Sequence, residues 1–426
     1  MKKSLQRVKK SNAASGAARS VIPAKAGIHF SRWNKLLDGS PHARIRANIG
    51  LAMWNRVRFL HGMSHELLLN ELWQTTVSRL GGVAAIDASA REKRAFLRPR
   101  EVKSATDLLR LILAYCLGGM GLRSTSAWAA SAGLADLSNV ALLQRLRNCG
   151  AWMEHLVGLS LGGGAVPAAD GRRIRLLDGT TVPKAGKEAR ENNGLWRLHC
   201  TFDLPSERFS HIELTDEKGG ERLSRTPVAK GDILIADRGY MHPDPLAHVL
   251  EQGADVIVRA GWKGARWLAG DGKPFDILAA LEGAESAGVL DRPIWIGRKK
   301  AAPLALRLVA FRKPPEAAEA SRAKARRAAQ REGNVILGGT LAAAEWVILV
   351  TSLDANAFST NAIGELYRAR WRIEMAFKRL KSLIGLSGPP GEDPEVAKTW
   401  ILAHLLMILL LGPHASAPEI SPRMAA

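Results

Sequence analysis

The sequence predicts an α/β protein in which an all-helical N-terminal region precedes a mixed β-sheet with helices on its faces. Apolar residues recur at helical spacing up to about residue 165, and from residue 171 they alternate or run continuously, as in strands. Three adjacent strands, then a strand, a helix and another strand, are typical of a mixed sheet. The 426 residues are 46% hydrophobic, which suffices for two or three domains with a buried core.

Composition narrows the class of partner. The chain has 61 Lys and Arg against 40 Asp and Glu, a net charge of +21, which favours a polyanion and nucleic acid first. Three widely spaced cysteines give neither a disulfide framework nor a zinc site. The apolar stretch 401–411 is too short to cross a bilayer and contains His404. We therefore expect a cytoplasmic protein with no membrane partner.

The N-terminal part divides into two segments. Residues 1–63 are rich in Lys, Arg, Ser, Ala and Gly without a sustained period, which predicts a disordered basic arm or, alternatively, a start codon placed too early. Residues 64–170 are predicted to form a helical DNA-binding domain, with Ser138 as the N-cap of one helix. A packed bundle without DNA contact is the alternative. The residues expected to face DNA are Asn139, Gln144, Arg145 and Arg147.

The catalytic domain is predicted over residues 171–400. Its strands are expected at 172–180, 196–204, 207–216, 232–240 and 255–260, with a helix at 242–253. Residues 261–345 interrupt the pattern as an insertion with two short strands and a basic helix, and 346–353 resumes the sheet. Residues 401–426 are expected to hold a helix remnant and a disordered Pro/Ala-rich tail.

Three carboxylates are candidates for the site. Asp178 and Asp237 are predicted at the ends of buried strands, and a helix over 367–381 carries Glu374 on one stripe with Tyr367 and Arg370. Lys381 falls on the same stripe. Carboxylates without Cys or His suit Mg²⁺ or Mn²⁺, and two ions about 4 Å apart can activate one oxygen and stabilise another. The alternative is that the aspartates shape turns and the glutamate forms a solvated helical ion pair.

The residues Tyr367, Arg370, Glu374 and Lys381 stand in the pattern Y-x₂-R-x₃-E-x₆-K. This pattern resembles the signature of bacterial insertion-sequence transposases of the DDE type, in the group named after insertion sequence four. LLDGTT resembles the first acidic motif of that family and GDILIADRGY the second, and the similarity extends over roughly residues 73–410.

The resemblance implies a ribonuclease H-like catalytic domain with a β-rich insertion. It gives Asp178, Asp237 and Glu374 the role of metal ligands. It gives Tyr367, Arg370 and Lys381 contacts with the transposon end, and Lys378 and Arg238 are added as neighbouring bases. Trp371 is expected to stack on a flipped base, the alternative being core packing.

The predicted function is that of a transposase with an Asp-Asp-Glu triad. It binds terminal inverted repeats, cleaves DNA with Mg²⁺ or Mn²⁺ and transfers the freed strand, as a homodimer on two DNA ends. One alternative is a ribonuclease H-like nuclease that never joins strands. Another is a truncated, inactive relic that only binds DNA, which the Pro/Ala-rich tail favours because relatives usually continue with more helix.

Overall fold

The computed structural model describes residues 73–161, 172–186, 194–384 and 388–411. The predictions for the basic arm 1–63 and for the tail after residue 411 lie outside these ranges. Within them the predicted α/β class is confirmed, since a helical region precedes a large mixed sheet. No helix in the described ranges is long and apolar enough to cross a membrane.

The helical region consists of short helices around one apolar core. Their bounds are α1 Trp73–Arg79, α2 Gly82–Glu92, α3 Ala105–Leu117, α4 Leu122–Ser131, α5 Asn139–Arg147 and α6 Gly150–Ser160. The predicted N-cap of α5 is confirmed, because the Ser138 hydroxyl accepts a hydrogen bond from the Ala141 N–H at 3.2 Å. Ser104 caps α3 in the same way, accepting from the Asp107 N–H at 3.0 Å.

Among the described residues the sheet has nine strands, in the order β3-β2-β1-β4-β5-β9-β8-β7-β6. Their bounds are β1 Ile174–Pro183, β2 Leu195–Asp203, β3 Arg208–Thr215, β4 Ile233–Ala236, β5 Asp255–Arg259, β6 Trp267–Leu268, β7 Val289–Ile296, β8 Leu304–Arg312 and β9 Trp346–Thr351. The β1–β4 and β4–β5 pairs are parallel, and the other pairs are antiparallel. The strands of the insertion therefore extend the main sheet through the β8–β9 pair.

Helices cover both faces of this sheet. Those within the sheet region are α7 Pro243–Glu251, α8 Ile277–Gly283, α9 Pro315–Arg331, α10 Gly338–Ala344, α11 Thr360–Arg368 and α12 Trp371–Ile384. Strand alternation divides the core in two. Leu176 and Ile235 face the same core as the helical region, whereas Leu177 and Leu234 face the core that contains α7.

The last helix, α13 Pro394–Leu411, returns to the helical region and completes its core. The Thr399 hydroxyl donates to the Leu146 carbonyl at 2.8 Å, and Lys398 pairs with Glu154 at 2.8 Å. Ile401 and Leu405 are fully buried. The segment predicted as a helix remnant is thus a structural part of the bundle, because its apolar faces fill the space between α3 and α6.

The prediction of one continuous helix over 367–381 is wrong. α11 ends at Arg368 and α12 begins at Trp371. Between them the Arg370 N–H donates to the Tyr367 carbonyl at 3.0 Å, an i to i−3 bond that tightens the chain. No Gly or Pro marks this break. Tertiary contacts of Tyr367 and Arg370, described below, override the helical preference of the sequence.

Candidate active site

The two aspartates lie side by side at the point where strands β1 and β4 separate. Leu177 and Ala236 are the last residues paired between these parallel strands, and Asp178 and Asp237 follow them directly. The prediction that Asp178 ends its strand is wrong, because β1 continues to Pro183 by pairing with β2 alone. Asp237 does stand at the end of its strand, as predicted, although β4 ends at Ala236 and is shorter than the predicted range 232–240. The lost pairing leaves an open edge where both carboxylates emerge.

Asp178 is the more enclosed of the two carboxylates, with 19% of its side chain exposed. Its Oδ1 accepts the Gly179 N–H at 2.8 Å, and its Oδ2 lies 3.3 Å from Nη1 of Arg370. Burial raises the pKa of Asp178 from 3.8 to about 6. The Gly179 N–H and the Arg370 charge oppose this rise, and the charges of Glu221 and Asp237 add to it.

Asp237 is held by a different set of donors. The Tyr367 hydroxyl donates to its Oδ1 at 3.3 Å, and Nη1 of Arg259 lies 3.7 Å from the same atom. Burial raises the pKa of Asp237, but the Arg238 N–H, the charges of Arg370 and Arg259 and the Tyr367 hydroxyl outweigh it. The pKa of Asp237 is therefore below its ordinary value, and this carboxylate is ionised at neutral pH.

Glu374 reaches the site from the first turn of α12. Its Oε1 lies 2.5 Å from Nη2 of Arg370, so one guanidinium contacts both Glu374 and Asp178. The helix is anchored beside the sheet by Ile373 and Phe377, which are buried, and the Phe377 ring stacks on Phe209 at 6.0 Å between centroids. α12 therefore packs against β1. Glu374 keeps 46% of its side chain exposed and faces solvent.

The donor set suits a hard divalent cation. Within the described ranges, no three His, Cys, Asp or Glu side chains are arranged so that they could hold a metal ion as they lie. Arg370 instead contacts two of the three carboxylates. Carboxylate oxygens without nitrogen or sulfur ligands are nevertheless the donors that Mg²⁺ and Mn²⁺ prefer. Two acids that share one guanidinium retain excess negative charge, which fits a further cation.

Bases and one aromatic side chain surround the acids. Trp371 is 48% exposed, so core packing is excluded for it. Lys378, four residues after Glu374 on α12, and Arg238, directly after Asp237, are exposed. Lys381 lies on α12, but its side chain is outside the described part of the protein. The Arg372 guanidinium lies over the Trp371 ring, 6.0 Å from its centroid. The surface around Glu374 therefore combines a half-exposed aromatic ring with positive charge.

On the helix expected to contact DNA, two of the residues predicted to face DNA have partners within the protein instead. Arg147 on α5 pairs with Asp393 at 2.6 Å, and the Arg145 guanidinium lies over the Phe96 ring at 5.7 Å from its centroid. Gln144 is exposed and Asn139 half-buried. DNA contact by this helix stays a prediction.

Two residues at the site were missed from the sequence. Arg259, at the end of β5, contacts Asp237 from the neighbouring strand. Glu221 lies close to Gly179 and Gly239, the glycines of the two acidic motifs. The sequence feature that could have identified Arg259 is its place as a basic residue at the carboxyl end of a buried strand next to β4. Glu221 had no comparable signal, since it belongs to a charged loop.

Comparison with known proteins identifies the family of the chain. The family described as "Transposase DDE domain" matches residues 169–410, more than half of the chain. A protein of Escherichia coli named "Transposase for insertion sequence element IS421" is 40% identical over 350 residues, which is 80% of this chain and 92% of that protein. The "Putative transposase InsL for insertion sequence element IS186A" of Escherichia coli strain K12 is 40% identical over 349 residues, with the same coverage.

The matched region includes both aspartates, the helix that carries Glu374 and the insertion between them. DDE transposases are enzymes that act on DNA, and their domain implies the use of a divalent metal. The chain therefore belongs to the DDE transposases of bacterial insertion sequences.

Proposed function

We propose that this transposase binds the terminal inverted repeats of its own insertion sequence, cuts the DNA there and joins the freed strand to new DNA. Asp178, Asp237 and Glu374 would hold Mg²⁺ or Mn²⁺ as two ions. The observation that carries the proposal is the register of the two aspartates, which directly follow the last β1–β4 pair, together with the Arg370 guanidinium that contacts both Asp178 and Glu374.

The reaction needs an activated oxygen and a stabilised leaving group, and divalent ions held by the three carboxylates would supply both by lowering the pKa of water and polarising phosphate. The water oxygen bonds to phosphorus, the P–O3′ bond breaks, and the released 3′ oxygen takes up a proton. That 3′-OH then attacks a phosphodiester of the opposite strand, giving a hairpin, or of target DNA. Each attack forms one P–O bond and breaks one, so no protein–DNA bond is needed.

The protein's own residues orient the acids and hold DNA. The Tyr367 hydroxyl and Arg259 fix Asp237, and the guanidinium of Arg370 sets the separation of Asp178 and Glu374. Exposed Trp371 offers a ring on which a base that leaves the duplex can stack. The proposed contacts with transposon-end DNA are Tyr367, Arg370, Trp371, Lys378, Lys381 and Arg238.

The working assembly in this proposal is a homodimer with one protomer on each transposon end. It acts in the cytoplasm, where a bacterial chromosome lies. The net charge of +21 supports binding to duplex DNA through phosphate contacts, and binding should therefore weaken steeply as salt rises.

The test uses the full chain and a labelled duplex from the DNA that flanks its gene, with Mg²⁺ or Mn²⁺. Asp237→Asn should lower the cleavage rate about a thousandfold, the factor that several kcal/mol of lost transition-state stabilisation gives. The matched control is Asp244→Asn, because that side chain is 74% exposed on α7 and pairs only with Arg298 among the acidic-basic contacts described. It should cut normally.

Equal cutting by Asp237→Asn and wild type would contradict the triad. Cutting without any joined product would restrict the enzyme to the nuclease alternative. Binding without cutting in either metal would favour the inactive relic.

A further inference from the structure

The carboxylate of Glu221 lies between the backbones of the two acidic motifs. A Cβ on Gly179 would lie 3.0 Å from Oε1 of Glu221, and a Cβ on Gly239 would overlap Oε2. Gly179 follows Asp178, and Gly239 comes two residues after Asp237. A side chain at position 239 would force Glu221 to move from its present place, and one at position 179 would lie tightly against it. The space left by the two glycines therefore lets a fourth carboxylate approach the β1–β4 edge.

The loop that carries Glu221 is fixed by its own contacts. Nε of Arg225 donates to the Gly220 carbonyl at 2.8 Å, and Nη1 donates to Glu213 at 2.6 Å. The Leu223 side chain, two residues after Glu221, is fully buried. Because the chain is held on both sides of Glu221, the position of this carboxylate is set by the fold rather than by a free loop.

The negative charge of Glu221 is only weakly neutralised by the basic side chain described next to it. Nη1 of Arg197 lies 3.9 Å from Oε1, which is longer than a direct hydrogen bond. Side chains alternate along β1, so Gly179 opens to the face opposite Asp178, and Glu221 approaches the acid pair from behind. It adds negative charge next to the acids without occupying the face on which Glu374 and Arg370 lie. Such a group strengthens cation binding without being a ligand.

We propose that Glu221 is a positioning residue of the active site, whose charge strengthens the binding of the divalent cation by Asp178 and Asp237. The inference rests on the proposed metal-dependent function. A purely structural role, in which Glu221 only pairs with Arg197, would leave cation affinity unchanged when the charge is removed.

The test measures Mn²⁺ binding to the purified full chain by the loss of the free-ion electron paramagnetic resonance signal. Glu221→Gln keeps the shape and removes the charge, and it should raise the Kd for Mn²⁺ about tenfold, the order of magnitude expected when one nearby negative charge beside a divalent cation is lost. The matched control is Glu217→Gln in the same loop, which pairs with Lys184 at 2.5 Å and should leave the Kd unchanged.

A second variant displaces the carboxylate without removing it. Gly239→Ala places a Cβ where Oε2 lies, so the flexible Glu221 side chain must shift and the Kd should rise as in Glu221→Gln. In a Glu221→Ala background the same change should have no further effect, because the space is free. Gly239→Ala in the otherwise wild-type chain keeps the inference testable if the Glu221 variants do not fold.

The outcomes separate this inference from the proposed function. If Asp237→Asn loses Mn²⁺ affinity while Glu221→Gln and Gly239→Ala bind as wild type, Glu221 has no such role and the metal site stands. If Asp237→Asn also binds as wild type, or wild type binds no Mn²⁺, the proposed metal site itself is wrong.

Discussion

The enclosed carboxyl of Asp178 should make the metal-free protein less stable at neutral pH than an asparagine variant. Its pKa is about 6 in the folded chain against 3.8 ordinarily, because of burial. The folded state thus favours the protonated form, and the stability this gives is present below pH 3.8 and is lost as pH rises to 6. At about 1.4 kcal/mol per pKa unit, the loss above pH 6 is about 3 kcal/mol. Asp178→Asn removes the charge and should therefore restore most of this lost stability.

The assay is urea unfolding in EDTA, followed by tryptophan fluorescence at pH 8 and at pH 4. We expect the variant to be more stable by up to about 3 kcal/mol at pH 8, with a difference that shrinks toward pH 4. Arg370 keeps Glu374 as a partner in the variant, so no guanidinium is left unpaired. Cleavage should be abolished at the same time, a trade of stability for function. A variant that is less stable than wild type at pH 8, with an unchanged urea slope, would refute the reasoning.

Three further changes test single contacts. Tyr367→Phe removes the 3.3 Å hydrogen bond to Asp237 and should slow cleavage about tenfold, as loss of about 1.4 kcal/mol would, while DNA-end affinity in a gel-shift assay falls much less. Trp371→Ala should change the free energy of unfolding by less than about 0.5 kcal/mol because the ring is exposed, yet weaken DNA-end binding by about 1–3 kcal/mol; a loss of core-like stability would contradict this. Ser104→Ala should cost about 1 kcal/mol in the same urea assay by removing the N-cap of α3, and an unchanged midpoint would show that the cap is dispensable.

The strands and the neighbouring aspartates could be predicted because both depend on local pattern. Buried apolar runs that end in Asp place carboxylates at one edge of a parallel pair, and the register of Leu177 with Ala236 has this consequence. The N-cap at Ser138 is equally local. Such features need only the few residues around them, and the sequence contains those residues in order.

The break at Ala369 and Arg370 could not be predicted, because it depends on partners far away in the chain. Tyr367 is held by Asp237 and Arg370 by Asp178, contacts across 130 and 192 residues. The continuation of β1 past Asp178 likewise depends on β2 remaining after β4 has ended. Glu221 had no periodic signal at all. The position of its carboxylate depends on the space left by two glycines, and these glycines come close to Glu221 only in the assembled sheet.

The most direct measurement is cleavage and joining by Glu374→Gln beside wild type, on a labelled duplex that spans the element boundary, with binding measured in the same samples. Glu365→Gln, a half-buried glutamate on α11 outside the described acid contacts, is the matched control. The account predicts that Glu374→Gln binds the duplex as wild type does and neither cuts nor joins it in Mg²⁺ or Mn²⁺. Cutting by Glu374→Gln at the wild-type rate would contradict the three-carboxylate site.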